Sequence, residues 1–402
     1  MEKEPLRTGG NGENMKLVIY LFPAMINFIA SGVFFYVTQR FVDAGASKLL
    51  TAMVVPTWAL VYCLVNLVVI RIVNSRNAAK LIINGGILFA VSSLGFILLA
   101  SPAFLLIWTG LLGAGFGFYC GPFQLMCKDM EKGSSSGVAM ATGKYTAAWS
   151  LGFASGAVAF GMLNYVTAFS LSFVVGIAVA VGVYIIKRKL EAAPQIETVA
   201  ETAPVETANR FPDFAWVGWV VGSMVTFSMS QLRSMLQPHG AAIALVNARE
   251  TMALTLMTVS LVQGIVGLLL CRSRVWMYKL LPIMVFGLTG VASLIGFCFA
   301  GNLWQFLLTA VICGMYSGCG YFVFVYYSLA HPTKAGRNAS INEIAVSIAS
   351  ISAPMLGGLL ADNTGYSWIP FALAGACVLA VTLFHVTVFA VNKQRKAALM
   401  EK

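Results

Sequence analysis

Apolar runs of about 20 residues recur along the whole sequence, and each is long enough to cross a ~30 Å hydrocarbon core as an α-helix. With soft ends they fall at 16–38, 49–72, 79–101, 103–127, 138–162, 166–187, 212–235, 248–271, 278–300, 303–330, 339–361 and 367–391. The predicted fold class is therefore an all-α integral membrane protein with about twelve spans. Barrel strands are shorter and alternate apolar with polar residues, whereas these runs are apolar on all sides. Only 10% of the residues are charged, against roughly 25% in a soluble protein, so lipid is the solvent for most of the chain.

The formal net charge of +11 would suit nucleic acid if it were clustered. Its placement reads instead as topology. With the N-terminus in the cytoplasm, every Lys and Arg except Arg40, Lys48, Arg233 and Arg249 falls on the cytoplasmic side. That is the positive-inside bias, and it predicts cytoplasmic termini in a plasma (bacterial inner) membrane, with no nucleic-acid partner. The opening MEKEPLRTGGNGENMK carries acids and lacks the short apolar core of a cleaved signal peptide. The eight cysteines lie in or beside the spans with no Cys-x-x-Cys pair in a loop. They are expected to pack as small hydrophobes, and no metal site is expected. His239, His331 and His385 are scattered, and no Ser/His/Asp set can be assembled. There is no Gly-x4-Gly-Lys-Ser/Thr phosphate loop. Neither an enzyme nor a cofactor is expected.

One long polar stretch interrupts the pattern, RKLEAAPQIETVAETAPVETANRFP from Arg188 to Pro212. It has no apolar period and reads as a cytoplasmic linker (188–212) between six-span halves at 1–187 and 213–402. The halves repeat. A shift of 197 residues lays GFYCG (Gly117–Gly121) on GMYSG (Gly314–Gly318), so that Tyr119 meets Tyr316. The same shift places Gly143, Gly152 and Gly156 on Ser340, Ala349 and Ala353, and Gly161 on Gly358. Slightly smaller shifts bring Arg76 onto Arg272 and Arg40 onto Arg233. A nearly constant offset across most of a half fits a parallel duplication.

Twelve spans, cytoplasmic termini, a central linker and two six-span repeats together resemble the major facilitator superfamily over the whole chain. Family members usually carry a Gly-x-x-x-Asp-Arg-x-Gly-Arg-Arg-like loop after the second span. Here that stretch is RIVNSRNAAK, in which Arg76 and Lys80 remain while Arg71 and Ser75 replace the Gly and Asp. Its counterpart GLLLCRSR keeps Gly267 and Arg272. Drug and metabolite antiporters of the superfamily carry Gly-x8-Gly-x3-Gly-Pro-x2-Gly-Gly in the fifth span. Gly143, Gly152, Gly156 and Gly161 match its spacing, with Ala157 in the proline place. The eleventh span mirrors it with Ser340, Ala349, Ala353, Pro354, Gly357 and Gly358. The resemblance implies a monomeric secondary transporter of a small organic solute, working by alternating access with a proton as the expected coupling ion. A proton-antiport exporter of drugs or metabolites is one alternative, and a non-transporting sensor of the same fold is another.

Small residues on spans five and eleven let helices approach closely in lipid. That stripe, with Gly152, Gly156 and the bend at Pro354, is read either as plain packing or as a smooth surface on which the halves rock. Glu343 is an acid inside a span, which usually faces a cavity or a partner. It is either a helix-start acid wetted by the loop HPTKAGRN or a protonatable gate. Lys144 is either snorkelling or a coupling group. Arg76 and Arg272 are candidate gating residues through the degenerate loops. The solute in such a protein lies near the midplane, between repeats. The mid-span polar and aromatic candidates are Asn27, Trp58, Tyr119, Gln124, Gln231, Gln263, Tyr316 and Tyr321. Arg40 and Arg233 stand at matching places near the outer ends of spans one and seven. Since Arg stays charged, they are read either as interface residues or as a positive vestibule for a carboxylate-bearing solute.

Overall fold

A computed structural model describes residues 19–74, 76–130, 137–192, 214–273, 275–330 and 335–400. Among them are twelve long helices and no strand. The first six are α1 (Leu21–Asp43), α2 (Lys48–Ile72, with a break at Met53), α3 (Ala78–Leu98), α4 (Pro102–Met130), α5 (Gly137–Met162) and α6 (Tyr165–Ala192). The last six are α7 (Ala215–Ala242), α8 (Ala248–Leu270), α9 (Leu280–Phe299), α10 (Leu303–Leu329), α11 (Ala335–Thr364) and α12 (Ile369–Met400). Helix satisfies every backbone group within its own segment, which a spanning chain must do where no water is at hand. Large apolar side chains stand outward, such as Leu60, Leu64 and Val68 on α2, each more than half exposed. A surface of that kind belongs in lipid, and the chain is a multi-pass membrane protein.

Ten of the helices are long and apolar enough to cross a membrane by themselves; α5 and α7 are not among them. The reason is their content. Helix α7 carries Ser228, Ser230, Gln231, Arg233, Ser234, Gln237 and His239, and α5 carries Lys144 with a run of glycines and serines. These two helices lie where the helix groups meet. Helix α5 runs along α8, α2 along α11, and α1 against α7. Within the first six helices α1 packs on α5, α2 on α4, and α3 on both α4 and α6. The same pairings recur in the last six: α7 on α11, α8 on α10, and α9 on both α10 and α12.

The structure moves several boundaries. Helix α1 continues to Asp43 and α7 to Ala242, past the ends read at 38 and 235. Helix α7 carries Pro238 inside it. Helix α6 extends to Ala192, so the first residues of the expected linker are helical. The rest of that linker, together with Ser75, His331 and Arg274, lies outside the described residues.

The small-residue stripe divides its work. A Cβ at Gly152 would fall on the Ala24 carbonyl of α1, and one at Gly156 on the Phe28 carbonyl. Both glycines seat α5 on α1 within the first six helices, not against the other group. Gly143 and Gly161, at the two ends of α5, instead face α8 through Cys271 and Ala253. On α11 the same division holds: Gly357 faces Gln231 of α7, while Gly358 faces the Leu49 backbone of α2. Only the outlying glycines of the stripe therefore touch the opposite group. Gly152→Ala is expected to cost about 1–3 kcal/mol of stability, because rigid backbone must shift. Gly375→Ala, whose Cβ would meet side chains no closer than 3.6 Å, should leave the thermal midpoint unchanged or raised. Melting curves of the two variants in detergent check this.

Candidate functional site

Arg71, Arg76, Lys80, Arg272 and Lys279 mark one end of the bundle, here termed the basic end. Two sets of polar contacts and one small cavity lie on the seam between the helix groups. At the far end, Asp362 of α11 accepts hydrogen bonds from the Lys48 and Leu49 amides of α2, each at 2.9 Å. Lys48 Nζ returns to the Ala361 and Gly365 carbonyls at 3.1 and 3.0 Å. Gln237 of α7 donates to the Phe35 carbonyl of α1 at 2.9 Å, and Arg249 of α8 to the Phe160 carbonyl of α5 at 2.9 Å.

Toward the basic end, Glu343 of α11 accepts from two side chains of the other group, the Tyr62 hydroxyl of α2 and Gln124 Nε2 of α4, the latter at 3.0 Å. This corrects the reading of Glu343 as a helix-start acid one turn in. Helix α11 begins at Ala335, which puts Glu343 about 12 Å along it, and its carboxylate faces the opposite helix group. Tyr62 was missed in the sequence, where it is one aromatic in the apolar run VVPTWALVYCLVNLVVI. Its partner lies 281 residues away.

Between these contacts sits Arg233. It lies nine residues before the end of α7, about 14 Å inside the helix terminus. Its guanidinium stands over the Phe153 ring at 3.9 Å, and the Tyr321 hydroxyl is a hydrogen-bonding neighbour. The cavity beside it is about 10 Å³, the scale of one water, and is lined by Ser31, Phe34, Phe35, Phe153, Leu256 and Ser260. Trp149 closes the aromatic wall, edge-on to Tyr321 at 4.8 Å and to Phe153 at 5.6 Å. Trp58 packs edge-on to Phe34 at 5.3 Å and stacks on Tyr62 at 5.2 Å. It thus joins the wall of this cavity to the Glu343 contacts. Neither Phe153 nor Trp149 was singled out in the sequence, since an aromatic facing a cation cannot be told there from one facing lipid.

The remaining candidates scatter along the seam or away from it. Gln263 of α8 donates to Ser150 of α5 at 2.8 Å, bridging the groups. Gln231 is fully buried against Gly357, and neither of its amide atoms has a hydrogen-bond partner. Asn27 turns back to the Pro23 carbonyl of its own helix at 2.8 Å. Tyr119 stacks on Phe123 within the first six helices. Tyr316 lines a separate cavity of about 30 Å³ among α7, α9, α10 and α12. Arg40 does not join Arg233. It is exposed in the last turn of α1, 5.9 Å from the Tyr165 ring. It stands nine residues, about 14 Å, beyond Ser31. Lys144, Arg76 and Arg272 are also exposed. Pro354 is buried inside α11.

These contacts lie on a seam between two groups of six helices in a polytopic helical protein. No protein-family model matches the sequence, and no curated protein does. Among solved structures, the chain matches the crystal structure of a bacterial homologue of the human lysosomal transporter Spinster, in an inward-facing and unoccupied conformation. The match has a TM-score of 0.64 at 15% identity and covers 94% of this chain and 96% of that one. At that identity the likeness is one of fold, the major facilitator fold that the sequence resembles.

Proposed function

We propose that the chain is a secondary transporter that carries a small organic anion between two six-helix repeats by alternating access. The repeats are 1–187 and 213–402, joined at 188–212, and the recurring helix pairings support them. On this reading the basic end is cytoplasmic, as the positive-inside bias favours, and the membrane is the plasma (bacterial inner) membrane. The likeness in fold to a transporter structure supports the class.

The observation that carries the solute reading is Arg233. A guanidinium keeps its proton in a protein, and an interior charge left unpaired is costly. The four acids whose side chains are described are engaged elsewhere or exposed. Asp43 accepts from Gln39, Asp362 from the α2 amides and Glu343 from Tyr62 and Gln124, while Glu250 is exposed. An anionic solute supplies the missing partner. The cross-group contacts on both sides of Arg233 make this arrangement an occluded one. Glu343 is the gate toward the basic end and the seat of the coupling proton. Protonation would remove its charge and one acceptor site, weakening its hold on Tyr62 and Gln124.

Uptake of radiolabelled organic anions into proteoliposomes tests this. Arg233→Gln is expected to lower the initial rate roughly 10- to 100-fold, the value of one lost charge-assisted hydrogen-bond set. Glu343→Gln should abolish the response to an imposed proton gradient. Undiminished anion uptake by Arg233→Gln would remove the anion site from this reading.

A further inference from the structure

We infer that the solute is an organic monoanion, a single carboxylate on an apolar or aromatic body, and not a dianion, a zwitterion or a neutral polyol. The inference rests on the reading of Arg233 as the anion-holding group and adds the charge count and the chemistry of the rest of the molecule.

Arg233 is the cation on the cavity, and the other seam-side cations, Arg249 and Lys48, already donate to backbone carbonyls at the far end. One guanidinium offers one planar fork, which matches one carboxylate. A second carboxylate on the same solute would lie against phenylalanine and leucine with no donor of its own charge, and burying it there is costly. A zwitterion needs an acid for its ammonium. The acids of α11 on the seam lie away from the cavity and are engaged: Glu343, toward the basic end, is held by Tyr62 and Gln124, and Asp362, at the far end, by the Lys48 and Leu49 amides. A sugar-like polyol needs a dense set of amides and hydroxyls. The cavity offers Ser31, whose hydroxyl already donates to the Phe153 carbonyl at 2.6 Å, and Ser260. The rest of the wall is Phe34, Phe35, Phe153 and Leu256, with Trp149 behind it. The cavity as it stands holds about one water, so a solute enters only as the seam opens, and the opened wall favours an apolar or aromatic body by burial and ring contact.

The experiment is thermal unfolding of the purified full-length protein with five probes: phenylacetate, acetate, benzylmalonate, phenylalanine and 2-phenylethanol. Each is measured on the wild type, Arg233→Gln and Arg233→Lys. Phenylacetate is expected to raise the wild-type midpoint, as a ligand of the folded state does. Its apparent affinity should fall about tenfold or more in Arg233→Gln, the weight of a charge-assisted pair. Arg233→Lys keeps the charge without the fork, so it should retain a weaker shift; it also carries the test should the glutamine variant not fold. Acetate, phenylalanine and 2-phenylethanol should shift no midpoint at equal concentration, and benzylmalonate should bind more weakly than phenylacetate. Stronger Arg233-dependent stabilisation by benzylmalonate or phenylalanine would overturn the monoanion while leaving an anion site at Arg233. Equal stabilisation of wild type and Arg233→Gln by phenylacetate and 2-phenylethanol would overturn it as well. Should no probe act through Arg233 in either variant, the anion site and the monoanion fall together.

Discussion

Glu343→Ala is expected to unlatch the basic end of the bundle and to raise the labelling rate of Cys120 by a water-soluble maleimide about 10²-fold. Glu343 holds one donor from α2 and one from α4, and both belong to the helix group opposite its own. Removing the carboxylate leaves the Tyr62 hydroxyl and the Gln124 amide without their acceptor in a partly buried seam. Each orphaned group costs about 1–3 kcal/mol, and 1.4 kcal/mol is a tenfold change in a population. Opening lets water satisfy both groups, so the cost falls on the closed arrangement and not on the open one. Cys120, which sits beside Tyr62 and Glu343, reports the opening without an engineered thiol. Cys298, at the far end of α9, serves as the internal reference, with the two thiols resolved by peptide mass spectrometry. Glu343→Gln keeps a carbonyl oxygen for one of the two donors and should produce a smaller rise. Equal Cys120 labelling in wild type and Glu343→Ala would show that the contact does not hold the end shut.

The fold was legible in the sequence because its signal is long and repeated. Twelve apolar runs specify twelve helices with little help from tertiary contacts, since lipid leaves the backbone no other way to pair. The repeat offset further sets Arg40 and Arg233 at corresponding places in the sequence. It cannot show that the two environments have diverged. Helix α1 ends three residues after Arg40, while α7 runs nine residues beyond Arg233, so one arginine reaches the surface and the other stays on the seam. The contacts of Glu343 were hidden for a different reason. Its partners lie on α2 and α4, 281 and 219 residues away, and a polar contact across two helix groups leaves no local period to read. The glycine stripe was legible as a stripe but not as to which neighbour each glycine meets. Successive glycines on one helix face different helices as the crossing proceeds, so Gly152 seats α1 and Gly161 seats α8.

Asp362→Ala should act at the opposite end and in the opposite direction. Asp362 places one carboxylate oxygen on each of two successive amides at the start of α2, Lys48 and Leu49. The first amides of a helix have no partner inside it, and here the cap comes from the other helix group. Ser47 caps only the next amide, Leu50, at 3.1 Å. The site is exposed to solvent, so the loss is put at about 2 kcal/mol in total, below the full value of two charged hydrogen bonds. Amide hydrogen exchange at Lys48 and Leu49 should therefore quicken about 30-fold in Asp362→Ala and stay at the wild-type rate in Glu343→Ala. Unchanged exchange in Asp362→Ala would mean that the cap contributes nothing to closure. The double variant decides whether the two ends belong to one equilibrium. In alternating access, opening one end requires the other to stay shut, so weakening both latches should return Cys120 labelling part of the way toward the wild-type rate. If labelling in the double variant equals that of Glu343→Ala alone, the ends open independently, and alternating access loses its structural basis here.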